Sequence, residues 1–511
     1  MRTDKVVKNI TYDYLGNILN ALISFVLKTV FIYSLGKEYL GLNGLFTNVL
    51  AMLSLTELGM STAVTYELYK PLTQNDHQKV RSIMSFYKKA YQIVGLAILI
   101  IGLLIVPLLQ YIVNFDQQVS INYYVIYLLF LASTILSYWF NAYKATLLIA
   151  DQKKYETKKI EYVMTLAQTV IQIIVLLWMK DYYLYLIIAM VRAVVQNYLV
   201  ARVTDRKYPF LNESKAQPLS KHEKQSIFKN IYALALYKVS GVVVNSTDNI
   251  IISAFINIGV LGCYSLYNYL IITVKSFVAV IFDSFVVAVG EINATESLKG
   301  KKTIFDIIFF LSFVVYGLSA ICLWQLSSVF IELWAGKEFV LDESTILLMV
   351  ISFLILGFEN ATYIFRTACG LFNQAKFRPL AGAVINLAFS LLLVNFLGID
   401  GVFWGTIISR VTTYLIIDPA VVYKHIFKLP VWGYYKQYGV YCGIVVGTGV
   451  LCHIINSCLF TGGWLALVAR AVVCVVIFGG MVVLFYRKDF RFRYLLEKLT
   501  ETMKRIRRIK Q

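Results

Sequence analysis

Residues 142–155, AYKATLLIADQKKY, and residues 364–377, IFRTACGLFNQAKF, decide how this chain is read. They align without a gap, 222 positions apart (366 − 144), and each places one cation, Lys144 or Arg366, in an apolar helix that runs into a polar, basic turn. A cation at bilayer depth costs roughly 2.5–3.5 kcal/mol on insertion scales, so it needs a partner or a water-filled cavity. The same cost at matching places in two halves points to a duplicated fold with a symmetric, polar, central site.

The rest of the chain supplies the membrane. Of its 511 residues, 59% are hydrophobic and 15% charged, against about 25% charged in a soluble domain. Mean hydropathy is +0.68. Runs such as 93–113, 305–326, 346–358 and 439–455 alternate with short polar loops, and a spanning helix needs about 20 mostly apolar residues. The pattern predicts an all-α polytopic membrane protein of about fourteen spans. They fall near 10–35, 42–69, 82–113, 121–149, 160–180, 182–203, 227–256, 262–290, 304–333, 345–371, 380–397, 401–423, 437–460 and 464–486. The charged start (Arg2, Lys5, Lys8) leads into no short apolar core with a small-residue cleavage site, so the first helix is expected to insert and stay.

The loops form two sets. One, dense in Lys and Arg, includes Lys153, Lys154, Lys158 and Lys159 in one loop and Lys299, Lys301 and Lys302 in another. The other holds Lys37, Lys180 and Lys337 against seven acids. The positive-inside rule puts the basic set, and with it both termini, in the cytoplasm. The net charge of +19 is then a topology signal. Nucleic-acid binding explains it less well, because the basic residues are scattered over many short loops. In the tail, Phe492, Leu495, Leu496, Leu499, Met503, Ile506 and Ile509 recur at helical spacing opposite Lys504, Arg505, Arg507, Arg508 and Lys510. This reads as a basic amphipathic helix lying on anionic membrane lipid, or else as a partner-binding helix.

Further matches support the duplication. Lys8-Asn9-Ile10 recurs as Lys229-Asn230-Ile231 and Leu40-Gly41 as Leu261-Gly262, both 221 apart, and Arg192 finds Arg410, 218 apart. Six spans separate each pair, an even number, so the halves share orientation and are parallel repeats. The expected organisation is a six-helix lobe over 1–203, a cytoplasmic linker over 204–226 carrying Pro209 and Pro218, and a second six-helix lobe over 227–423. Two additional transmembrane helices over 424–486 and the tail over 487–511 complete it.

Charges within spans face the bundle interior, pair up, or line a pathway. The cations are Lys28, Lys144, Arg192, Lys238, Lys275, Arg366, Arg410 and Arg470. All but Arg470, which falls in the additional helices, are candidate anion-binding groups. Lobe-stabilising ion pairs, or snorkelling near helix ends, are the competing roles. Asp248, within the polar run Asn245–Asn249, is a candidate for H+ or Na+ coupling, as are Glu57 and Glu359. Tyr264, Tyr267 and Tyr269 are candidates to stack on sugar rings. The seven cysteines sit singly in apolar context with no C-x-x-C pattern, and the four histidines do not cluster. No metal site is expected, and those cysteines read as small hydrophobes. No nucleophile–base pair or long outer loop suggests catalysis.

The opening Lys8-Asn9-Ile10, then Leu40-Gly41-Leu42 and Leu55-Thr56-Glu57-Leu58-Gly59-Met60, together with Ala368-Cys369-Gly370-Leu371-Phe372-Asn373-Gln374 before a basic turn and the 6+6+2 plan, resemble the bacterial polysaccharide flippases. These belong to the multidrug/oligosaccharidyl-lipid/polysaccharide (MOP) exporter superfamily. The resemblance covers essentially the whole chain, through loose motifs. It implies a multi-pass protein of the bacterial plasma membrane that moves undecaprenyl-diphosphate-linked oligosaccharide from the inner to the outer leaflet by alternating access. It implies no enzyme activity and no resident cofactor. Polysaccharide polymerase and assembly proteins are candidate partners. A diphosphate is a dense anion that Arg and Lys match, so Lys144 and Arg366 would capture it from the inner leaflet, with Arg192 and Arg410 deeper. Two alternatives stay open: a drug or cation antiporter of the same fold, whose cavity would favour carboxylates and aromatics, and a membrane glycan polymerase or glycosyltransferase.

Overall fold

The computed structural model describes residues 20–54, 60–115, 121–213, 216–221, 223–225, 227, 228, 231, 246–459 and 463–509. Every regular element among the described residues is helical. The chain divides into two compact units, residues 1–262 and 263–511.

Unit one contains α1 (Asn20–Leu35), α2 (Lys37–Leu53), α3 (Met60–Thr73), α4 (His77–Ile112), α5 (Tyr123–Trp139), α6 (Ala142–Ala150), α7 (Lys154–Trp178) and α8 (Tyr182–Lys207). Side-chain caps set several starts by satisfying otherwise orphaned amides. Asp76 accepts from the Lys79 amide at 2.9 Å, Asn122 from Val125 at 3.2 Å, and Asp181 from Tyr183 and Leu184 at 2.7 and 3.0 Å. Inside, polar side chains tie helix to helix: Tyr127 donates to the Gly102 carbonyl at 2.9 Å, and Gln172 donates to that of Tyr185 at 2.9 Å. On α7, Val163, Leu166, Val170, Ile174 and Leu177 remain exposed. They form an apolar stripe of the kind a helix presents to lipid.

Unit two begins within α9 (Ile258–Thr295) and continues through α10 (Leu298–Ala335), α11 (Glu343–Phe358), α12 (Asn360–Ala368) and α13 (Arg378–Leu397). Then come α14 (Ile399–Phe427), α15 (Trp432–Leu459), α16 (Trp464–Tyr486) and α17 (Phe490–Ile509). Its core is aromatic. Phe313 stacks on Tyr441 with centroids 4.2 Å apart, and Phe309 on Tyr434 at 4.9 Å. Gly317 of α10 admits Val445 of α15 and Phe478 of α16, so the two additional spans pack into the core of this unit.

Ten helices among the described residues are long and apolar enough to cross a membrane, or eleven if the bent pair α5 and α6 is one span. They coincide in order with the expected spans 82–203 and 262–486. The expected spans near 10–35, 42–69 and 227–256 include residues outside the described set.

The structure adds a break that periodicity does not reveal. α5 and α6 bend by 49° around Asn141, whose φ is +59°. Its counterpart in unit two is interrupted at Glu359, between α11 and α12. Lys144 and Arg366 each lie on the short helix after the break.

Candidate substrate site

In unit two the folded chain gathers six charged side chains. Arg366 and Asp418 are both fully buried, with Nε 3.4 Å from Oδ2. Arg378 donates to Glu359 Oε1 at 2.8 Å and to Asp418, and lies 4.1 Å over the Tyr414 ring. Arg410 is half-buried and donates to the Ser352 carbonyl of α11. It opens a π-helical turn over Arg410–Tyr414, a local widening that recurs at functional sites. Lys275, exposed on α9, lies within electrostatic range of Arg410 and Glu359. Two carboxylates thus face four cations. Arg366 and Arg378 are held by the acids, as burial requires. Lys275 is the most exposed of the six, and Arg410 is half-buried.

Unit one repeats part of this pattern. Lys144 pairs with Asp205 of α8 at 2.6 Å. In both units, then, the cation after the helix break pairs with an acid on a later helix, α8 or α14. Arg192, deeper on α8, donates to Thr165 at 2.8 Å and lines a cavity of about 220 Å³ with Tyr91, Tyr138, Gln196 and Asn197. Lys28 is half-buried on α1. Asp248 is buried in a polar cluster with Ser246, Thr247 and Asn249, and Ser246 bonds Asn48 of α2 at 3.3 Å. Glu57 and Lys238 lie outside the described residues.

The structure therefore brings Lys275, Glu359, Arg366 and Arg410 together and places Lys144 and Arg192 at separate points of unit one. Sequence reasoning passed over Arg378, which reads as part of a basic loop. Its signal is the Arg-Pro step, where Pro379 supplies a first-turn residue that needs no amide donor. The expectation for tyrosines changes too: Tyr264 and Tyr267 are core residues, and Tyr267 accepts from the Leu341 amide at 3.3 Å. Asn456 of α15 donates to Cys474 Sγ of α16 at 3.9 Å. No group of three or more His, Cys, Asp or Glu fit to hold a metal occurs among the described residues.

At the bases of the helices, Glu223 accepts from Lys79, which holds its carboxyl below the ordinary range. The tail is fixed at its first turn. Arg491 donates to Asp489 at 2.7 and 2.8 Å and to the Tyr441 hydroxyl at 3.1 Å, and its guanidinium lies 5.5 Å over Phe310.

Residues 6–287 match the model of a family described as polysaccharide biosynthesis protein. The chain belongs to this family. No curated protein matches it. Among solved structures, family membership meets a shared fold. The lipid II flippase MurJ, in an inward closed conformation, is 13% identical with a TM-score of 0.66, covering 94% of this chain and 99% of that one. An inward-facing multidrug resistance MATE transporter of the MOP superfamily is 10% identical with a TM-score of 0.61, covering 79% and 94%. The Vibrio cholerae MATE transporter VcmN is 14% identical with a TM-score of 0.54, covering 84% and 99%. The chain is a multi-pass membrane protein of this polysaccharide biosynthesis family with the fold of MOP transporters.

Proposed function

We propose that this protein is a flippase carrying undecaprenyl-diphosphate-linked oligosaccharide from the inner to the outer leaflet of the bacterial plasma membrane by alternating access. The observation that carries the reading is the cluster in unit two, which gathers four cations with two acids, Lys275 exposed and Arg410 half-buried. A drug or cation antiporter would want the opposite balance. A diphosphate suits a cluster in which cations outnumber acids, and Arg410 is a planar donor fork of the kind that matches phosphate. Among α9, α10 and α16 an apolar cavity of about 520 Å³, walled by Leu270, Val274, Leu323, Phe330 and Val468, suits a stretch of prenyl chain. MurJ, which shares the fold, is itself a lipid II flippase.

In this reading Lys275 and Arg410 hold the diphosphate. Arg366 and Arg378, already neutralised, shape the wall behind them. Lys144, Arg192, Lys28 and Lys238 are the remaining anion-binding candidates, and Asp248, Glu57 and Glu359 the acids at which H+ or Na+ would couple. The basic tail rests on anionic lipid of the inner leaflet, and polymerase or assembly proteins take the product. The test is translocation of a labelled undecaprenyl-diphosphate oligosaccharide in proteoliposomes. Native protein is expected to move it, and Lys275→Ala with Arg410→Ala to lower the rate at least tenfold, the worth of one charge-assisted hydrogen bond. Native protein that moves no such lipid would defeat the proposal. So would a double variant at native rate.

A further inference from the structure

The Arg192 cavity lies apart from the charge cluster, in unit one, and its polar groups are incompletely satisfied. It is a partly open cavity among α4, α5, α6 and α8, measures about 220 Å³, and is lined by Tyr91, Ser137, Tyr138, Arg192, Gln196 and Asn197 among others. That is room for about seven waters at roughly 30 Å³ each, or for one sugar ring with its substituents. Arg192 and Gln196 are one helical turn apart and share a face of α8. Among the described residues, Arg192 Nε and Gln196 Oε1 are buried atoms with no hydrogen-bond partner. Buried polar atoms left in that state call for water or a ligand.

The two atoms ask for different things. Arg192 has a neutral partner in Thr165, while the nearby Glu161 is committed to Lys158 at 2.9 Å. Its charge therefore seeks an anionic oxygen. Gln196 Oε1 accepts only, so it seeks a hydroxyl or another donor. Asn197 is fixed by a 3.1 Å bond to the Ser137 carbonyl, and the buried rings of Tyr91 and Tyr138 supply flat apolar wall. One ligand that brings an anionic oxygen, hydroxyl donors and a compact ring with C–H faces is an acidic sugar.

We propose that the Arg192 cavity is a subsite for one acidic sugar ring of the glycan carried by this protein. The proposal rests on the flippase reading for the origin of the sugar and names a chemical property of the cargo. The diphosphate is bound elsewhere, at the cluster of unit two. The anionic group is a carboxylate or a phosphate, and the probes below separate the two.

The test is saturation-transfer NMR on the full-length protein in lipid nanodiscs, with D-glucuronate, D-glucose 6-phosphate and D-glucose as probes. Native protein is expected to bind one of the two acidic sugars at least tenfold more tightly than glucose, the stronger one identifying the anionic group. Arg192→Gln and Gln196→Ala are each expected to weaken that binding at least tenfold, with Arg192→Lys retaining part of it. Gln196→Ala keeps every charge and serves where Arg192→Gln fails to assemble. Failure of native protein to prefer an acidic sugar over glucose would overturn the proposal, as would acidic-sugar binding unaffected by Gln196→Ala. The readout needs no translocation. Acidic-sugar binding at Arg192 by a protein that flips no lipid would sink the flippase reading and leave the subsite standing. Flipping without such binding would sink the subsite alone.

Discussion

Arg366 shows what a residue's neighbours do to its role. It was conspicuous in the sequence because a cation inside an apolar helix is expensive. What the sequence did not display is its partner, Asp418, 52 positions further along (418 − 366). Both side chains are fully buried, and breaking such a pair leaves an uncompensated charge worth about 3 kcal/mol. Arg366→Ala is therefore expected to lower the thermal unfolding temperature of the protein in detergent, and Arg366→Ala with Asp418→Ala to recover part of the loss. Equal stability of native and Arg366→Ala would show that the pair is not structural. Arg378 was illegible for a different reason: it reads as a loop residue until α13 is seen to begin there, and only folding brings it to Glu359 and Asp418. Arg410 was legible as a buried cation, but the π-helical turn that aims it was not.

Among the elements, the most informative contact is between α2 and α9, at the repeated Leu-Gly pairs. A Cβ added at Gly41 would overlap the carbonyl of Ile258, and one at Gly262 would overlap that of Lys37. Each of the two glycines, matched by sequence, thus lies against a backbone carbonyl at a distance that only the absence of a side chain permits. Gly41→Val and Gly262→Val are each expected to destabilise the protein by at least about 1–3 kcal/mol, the usual cost of overpacking, read as a lower unfolding temperature. A valine at either place with native stability would contradict this packing. The lengths and order of the spans were readable from hydropathy because each must cross the same apolar slab. The 49° bend between α5 and α6 was not, since Asn141 adopts its left-handed conformation within an otherwise helical pattern.

For the whole molecule, the alternation of basic and acidic loops makes a topological prediction. In a chain whose seven native cysteines are replaced by serine, Lys337→Cys is expected to react with a membrane-impermeant maleimide in intact cells. Lys299→Cys is expected to react only after permeabilisation. The reverse pattern would invert the orientation. Hydropathy, loop charge and the doubled motifs are properties of composition and spacing. They determined by themselves a helical, many-span membrane protein and flagged several of its buried charges. Which of those charges pair with one another was decided only by the tertiary structure. An ion pair is a matter of a few ångströms between residues distant in the chain, and spacing along the sequence does not encode that distance. The same holds for the Arg192 cavity: its two unsatisfied atoms become a site only when α4, α5, α6 and α8 come together.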